Sequence, residues 1–127
     1  MNFQEKDFKK IALIGTGAYA EVYLVRHRIL YHKIAVMKKI RKERALAKDP
    51  NLEGIMMERA ILARANHPYI MELYFTFQTE THFFMGMEFC SGGELFTLIT
   101  SGYKIQDVEG KASFYAAEIL LALDYMH

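Results

Sequence analysis

Three stretches of the chain carry residue types able to act on a phosphorylated ligand. Gly15-Thr16-Gly17-Ala18-Tyr19-Ala20-Glu21-Val22 has the form G-x-G-x-x-A-x-V. Glycines so spaced let backbone N–H groups approach phosphate oxygens with no Cβ in the way. An ordinary hairpin whose turn needs positive φ accounts for the same pattern, so the motif alone does not decide. The second stretch holds Lys38 and the third Glu58. A lysine on an apolar strand face and a carboxylate on an apolar helix stripe are each costly to bury, and each becomes tolerable on meeting the other. The competing arrangement is a snorkelling Lys38 and a rim Glu58 that never meet, with Lys39 as the solvated-face alternative.

Other residues carry weaker signals. Met87-Glu88-Phe89-Cys90 ends an apolar run and can offer its backbone to a ligand, or simply close a core strand. Cys90 has no histidine or cation beside it in sequence to lower its pKa and reads as a small hydrophobe. The five histidines show no metal-ligand spacing. Glu94 completes Ser91-Gly92-Gly93-Glu94, which matches a capping box at a helix start.

The elements that must position these groups follow from periodicity. Phe8 to Ile14 and Ala20 to Val25 read as strands around the glycine turn, so the turn leads into a strand. That argues against a dinucleotide fold, whose glycine loop opens a helix. A third strand, Lys33 to Ile40, sets Ile34, Val36, Lys38 and Ile40 on one face and Ala35, Met37, Lys39 and Arg41 on the other. Arg41 to Pro50 is charged, and Asp49-Pro50 punctuates it as a boundary. Leu52 to Ala65 follows as a helix with Leu52, Ile55, Met56, Ile61 and Leu62 at three- and four-residue spacing and Glu58 on that stripe. Strands over Ile70 to Phe77 and His82 to Phe89 complete a five-stranded sheet. A short helix, Glu94 to Thr100, and a last one, Val108 to His127 with Asp107 as N-cap, close the chain. The last carries Ala112, Tyr115, Ala116, Ile119, Leu123 and Met126 on one face.

Composition bounds the answer. At 127 residues the chain has room for one ordinary domain, and 52% apolar residues are too many for a disordered chain. A net charge of +1 gives no global field to draw nucleic acid or an acidic membrane. One cysteine allows no internal disulfide, and MNFQEKDF offers neither a signal region nor a myristoylation glycine, so a cytoplasmic or nuclear location is expected. Charged residues interrupt every apolar run, so no membrane span is expected.

Taken in order, these pieces resemble a eukaryotic protein kinase of the AGC group of Ser/Thr kinases. IGTGAYAEVYLV corresponds to the glycine-rich loop, AVMKKIRKE to the strand with the ATP-binding lysine, and MMERAIL to the αC helix with its glutamate. HPYIMELYFTFQT matches the fourth strand, MEFCSGGELF the hinge and KASFYAAEILLALDYMH the αE helix. The resemblance implies an α+β fold. Residues 8–90 would be the ATP-binding N-lobe, a five-stranded antiparallel sheet plus αC. Residues 91–127 would be the hinge end with the αD and αE helices of an incomplete C-lobe.

It also implies roles. Gly15 and Gly17 would cover the nucleotide phosphates, and Lys38 would hold the α and β phosphates while paired to Glu58. Ile14, Val22 and Val36 would roof the adenine, Met87 would be the gatekeeper, and the backbones of Glu88 and Cys90 would meet the adenine edge. Glu94 would face the ribose or a substrate arginine. Two positions depart from the family pattern: Ala20 replaces the third loop glycine, and Val36 stands where alanine is usual.

ATP and Mg²⁺ are the implied cofactors, but the sequence holds no H-R-D or D-F-G segment, and so neither the catalytic base nor the Mg²⁺ ligands. Expected partners are ATP, a protein substrate and a regulatory peptide bearing a hydrophobic motif, with no nucleic acid. ATP binding by this chain alone is expected to be weak and insensitive to Mg²⁺. Self-association through the αE face is expected because the rest of a C-lobe is missing from that face. The alternative is a naturally short, catalytically inactive kinase-like interaction module.

Overall fold

Alternation in the third strand organises the molecule, because each of its faces meets a different layer. In the computed structural model, which describes residues 2–29, 34–90 and 111–127, the chain forms two units. One comprises Met1–Arg64 and Met71–Phe89, the other Ala65–Ile70 and Cys90–His127.

The first unit is built on an antiparallel sheet of β1 (Phe8–Thr16), β2 (Ala20–His27), β3 (Ile34–Arg41), β4 (Leu73–Gln78) and β5 (His82–Glu88), in the order β1-β2-β3-β5-β4. β4 starts later than its apolar run suggests. The Ile70 N–H donates to the His67 carbonyl, which holds the residues after Pro68 in a turn. The edge strand β1 shifts register twice against β2, between Lys10 and Ala12 and between Leu13 and Gly15. The second bulge lies where the glycine turn begins.

One face of the sheet carries Phe8, Val25, Ala35, Met37 and Phe84, covered by Phe3, Phe75 and Phe77. Phe77 stacks on Phe84 with ring centroids 4.5 Å apart, and Phe75 on Phe8 at 4.7 Å. The Phe75 ring lies over Gly86, where an added Cβ would come within 2.1 Å of it. The other face carries Ile40, Met85 and Met87 and packs against Ala45 and Ile55 from two helices.

The first of these, α1 (Lys42–Lys48), occupies the charged stretch for which no element was expected and ends at the expected Asp49-Pro50 boundary, with Asp49 as its C-cap. Glu43, Arg44 and Lys48 face water while Ala45 is buried, and the good helix formers in KERALAK were the available signal. The second, α2 (Glu53–Arg64), follows a turn in which Leu52 holds φ at 53° and the Asp49 carboxylate accepts the Gly54 N–H at 3.0 Å. Only part of its expected stripe is covered: Ile55 is buried and Leu62 half-buried, but Met56 and Ile61 are exposed.

In the second unit α3 (Lys111–Met126) buries Ala122 and leaves Ile119, Leu123 and Met126 exposed, with Tyr115 half-buried. Its Tyr125 hydroxyl accepts the Asn66 N–H at 2.9 Å, and its ring lies 5.2 Å from that of His67. The helix expected over Glu94 to Thr100, its capping box and the Asp107 cap lie outside the described residues, as does the Ala112 side chain. No helix among the described residues is long and apolar enough to cross a membrane.

Candidate nucleotide cleft

Cross-strand register decides which lysine shares a face with the apolar residues beside the glycine turn. Lys38 pairs with Val22 on β2 and with Met85 on β5; two residues earlier, Val36 pairs with Leu24 and Met87. Directly opposed residues project to the same side of a sheet, so Lys38, Val22, Val36 and Met87 form one surface. Lys39 points the other way. Its ammonium lies 2.8 Å from Glu5, in the turn that precedes β1.

Glu58 reaches Lys38 from α2. Lys38 Nζ donates to both carboxylate oxygens, at 3.4 Å to Oε1 and 3.3 Å to Oε2. The geometry follows from helical spacing: Glu58 lies three residues after the buried Ile55 and four before Leu62, so burying that stripe turns it toward β3. The side chains keep 25% and 39% of their surface exposed, so the pair adds at most about 1 kcal/mol of stability and remains open to a ligand. The structure thus joins the two residues and sets aside the arrangement in which they never meet.

At the glycine turn, the Gly17 N–H donates to the Ala20 carbonyl at 2.7 Å, and the Tyr19 carbonyl accepts the Arg41 N–H at 2.8 Å. Neither Gly15 nor Gly17 has φ in the left-handed region between +20° and +160°. A Cβ built on Gly15 would come no closer than 3.6 Å to Val22, and one on Gly17 no closer than 3.8 Å to Ala20. The hairpin therefore does not need glycine at either position, and the positive-φ account of the motif fails here.

The other predicted residues are placed as follows. Ile14 is half-exposed, within the bulge between Leu13 and Gly15. Met87 is buried against Val36. Glu88 donates its N–H to the Glu72 carbonyl at 2.9 Å, which removes that N–H as a donor to a ligand. Cys90 is an exposed thiol in the second unit, and Glu94 lies outside the described residues.

Two residues beside this surface were not singled out from sequence. Met85, directly across from Lys38, is a buried flank of this surface, and β5 alternation was the signal that pairs it with Met87. Glu5 had no sequence signal beyond its charge. Burial pushes its carboxyl up, but Lys39 and Lys10 outweigh that and leave it below its ordinary value. Among the described residues no group of three or more His, Cys, Asp or Glu side chains could hold a metal ion.

The model of the protein kinase domain matches residues 8–127. The chain belongs to the protein kinase family. It is similar to the cAMP-dependent protein kinase catalytic subunit of Schizosaccharomyces pombe, with 40% identity over 124 residues, 96% of this chain and 23% of the relative. The 3-phosphoinositide-dependent protein kinase 1 of Arabidopsis thaliana is 35% identical over 126 residues, 99% of this chain and 25% of the relative. The Rho-associated protein kinase 1 of Oryctolagus cuniculus is 35% identical over 127 residues, 100% of this chain and 9% of the relative. This kinase chain therefore spans a quarter or less of the length of these relatives.

Proposed function

We propose that these residues supply the ATP-binding part of an AGC-type Ser/Thr protein kinase, which transfers the γ-phosphoryl group of ATP to protein serine or threonine. Residues 8–90 form its nucleotide lobe, and 91–127 begin the second lobe. Lys38, steered by Glu58, takes the α and β phosphates while Gly15 and Gly17 cover them. Ile14, Val22 and Val36 roof the adenine and Met87 is the gatekeeper. The Glu88 carbonyl and the Cys90 backbone meet the adenine edge, and Glu94 the ribose or a substrate arginine.

The observation that carries this reading is the pair of glycines that the hairpin does not require, at the end of the sheet face that also carries the partly exposed Lys38. Close backbone approach by an anion is what such glycines permit. A triphosphate fits these groups. Among the described residues no group of three or more His, Cys, Asp or Glu side chains could hold Mg²⁺ without the phosphates. With no H-R-D or D-F-G segment in the sequence, these residues alone are expected not to transfer phosphoryl groups.

Titrating ATP into the ¹⁵N-labelled chain tests the reading. Amides of Gly15, Gly17, Val22 and Val36 should shift, with little change on adding Mg²⁺, and Lys38→Met should weaken the response by about tenfold or more. Shifts confined to other surfaces, or unaltered by Lys38→Met, would refute it.

A second reading, the catalytically inactive interaction module, draws on a groove of about 420 Å³ beside α2. Ile55, Met56, Phe77 and Phe83 line it, with Arg59 and Gln78 also on its wall. Its apolar, aromatic lining fits a regulatory peptide bearing a hydrophobic motif. A peptide with two phenylalanines should protect Met56 and Phe77 from solvent. Self-association through Ile119, Leu123 and Met126 of α3 is checked by sedimentation velocity, where dimers support it and a concentration-independent monomer does not.

A further inference from the structure

The glycine turn closes one end of the β1–β2 hairpin, and a second basic feature occupies the opposite end. Lys9 on β1 and Arg26 on β2 are direct cross-strand partners, so two cations project to the same side of the sheet. Like charges so opposed destabilise a sheet. Arg28 joins them, its guanidinium Nε fixed by donation to the Lys6 carbonyl at 3.1 Å and its backbone N–H by donation to the Asp7 carbonyl at 2.8 Å. Together with His27 these three line a concavity of about 300 Å³.

Among the described residues none of the three cations forms an ion pair, whereas Lys10 and Lys39 both meet Glu5. The cluster shares a sheet face with Val36, two residues beyond Ile34, but stands apart from the glycine turn where the phosphates are proposed to bind. Lys9 precedes Gly15 by six residues, and at about 3.3 Å per residue the two lie roughly 20 Å apart along the strand.

We infer that Lys9, Arg26 and Arg28 form a binding site for a phosphate monoester, presented by a phosphorylated serine or threonine of a polypeptide segment. A dianion with three acceptor oxygens brings a three-cation cluster down to about +1, where one carboxylate would leave it at about +2. The concavity accepts a phosphate on a side-chain stem. Beside it Ile29 is 82% exposed, and Ile34, across from Arg26 on β3, is 41% exposed. They offer the residues flanking a phosphoserine an apolar contact that a free ion does not use. A lipid surface is the poorer match, because Glu5 neutralises the neighbouring Lys10 and Lys39 and the chain's net charge is only +1. This inference is independent of the nucleotide reading.

The test uses the whole ¹⁵N-labelled chain, a short peptide with one phosphoserine next to leucine, its unphosphorylated twin, inorganic phosphate at matched ionic strength, and mixed phosphatidylcholine–phosphatidylserine vesicles. The phosphopeptide should shift the amides of Lys9, Arg26, Arg28 and Ile29 and bind more tightly than inorganic phosphate. The unphosphorylated twin should leave them in place. Arg26→Gln should weaken phosphopeptide binding about tenfold, and Lys38→Met should leave it unchanged. Because it relieves the opposed charges, Arg26→Gln should also raise the Tm of the unliganded chain, while phosphopeptide raises the Tm of the wild type only. Equal binding of the twin peptide, tighter binding of vesicles or of inorganic phosphate, an unaltered affinity in Arg26→Gln, or shifts mapping to the glycine turn would each overturn the assignment.

Discussion

Lys38 and Lys39 are chain neighbours with the same side chain, and each meets a glutamate, yet the two faces of the sheet give them different work. Lys39 is 18% exposed, passes beside the Phe84 ring and shares Glu5 with Lys10, so its contacts tie the turn at Glu5–Asp7 to β3 and β1. Lys38 is paired less closely, with a carboxylate from a separate helix, among Val22, Val36 and two methionines. The aromatic face is filled by its own side chains. The cleft face keeps an ammonium accessible at the cost of a weaker ion pair. An ion pair thus acquires a functional reading from what surrounds it and from the surface it leaves exposed, not from its existence.

The contrast can be broken most severely on the aromatic face. Phe84, 1% exposed and stacked on Phe77, should cost about 3–5 kcal/mol when replaced by alanine, read as a large drop in the urea midpoint. Gly86→Ala comes next. Its Cβ must displace the Phe75 ring, an overpacking cost of about 1–3 kcal/mol, and pairing it with Phe75→Leu should recover much of the loss.

The two lysines sharpen the comparison. Lys38→Met and Lys39→Met should each change stability by about 1 kcal/mol or less, but Lys38→Met alone should suppress the ATP response. Equal loss of that response in both variants would show that the faces are not separated as described.

The smallest effect is in pH. Glu5 has a folded pKa below its ordinary 4.5, so its contribution is complete above that value and is lost as pH falls through the folded pKa. Glu5→Gln should therefore be less stable than wild type at neutral pH, and the difference should shrink in acid.

The sheet, α2 and the Lys38–Glu58 pair were legible in the sequence because strand alternation and helical spacing are local properties that tertiary packing preserves. Elements set by tertiary context were less so. α1 was hidden by its charges, which satisfy a helix as readily as a boundary. The delayed start of β4 depends on the turn that His67 and Ile70 close, and only coordinates reveal that bond. The partnership of Glu5 with Lys39 joins positions 34 residues apart by numbering, with no periodicity to announce it. The glycine motif was ambiguous for a different reason: its two explanations differ in backbone φ, which sequence does not display.

The fit of Phe75 over Gly86 has a consequence for how the chain avoids misfolding. Because side chains alternate, sliding β3 by one residue along β5 would carry Lys38 to the aromatic side and Met37 to the cleft. A lysine would then replace a wholly buried methionine against rings that offer it no carboxylate of their own. Met37 faces Gly86 across the strands, and the space above that glycine is already taken by Phe75, so the neighbouring positions have no equivalent vacancy to exchange. The missing side chain at position 86 thus works as an alignment mark for β4 on β5, while the burial of Met37 is what penalises a slip of β3 that would carry Lys38 off the face it shares with Glu58.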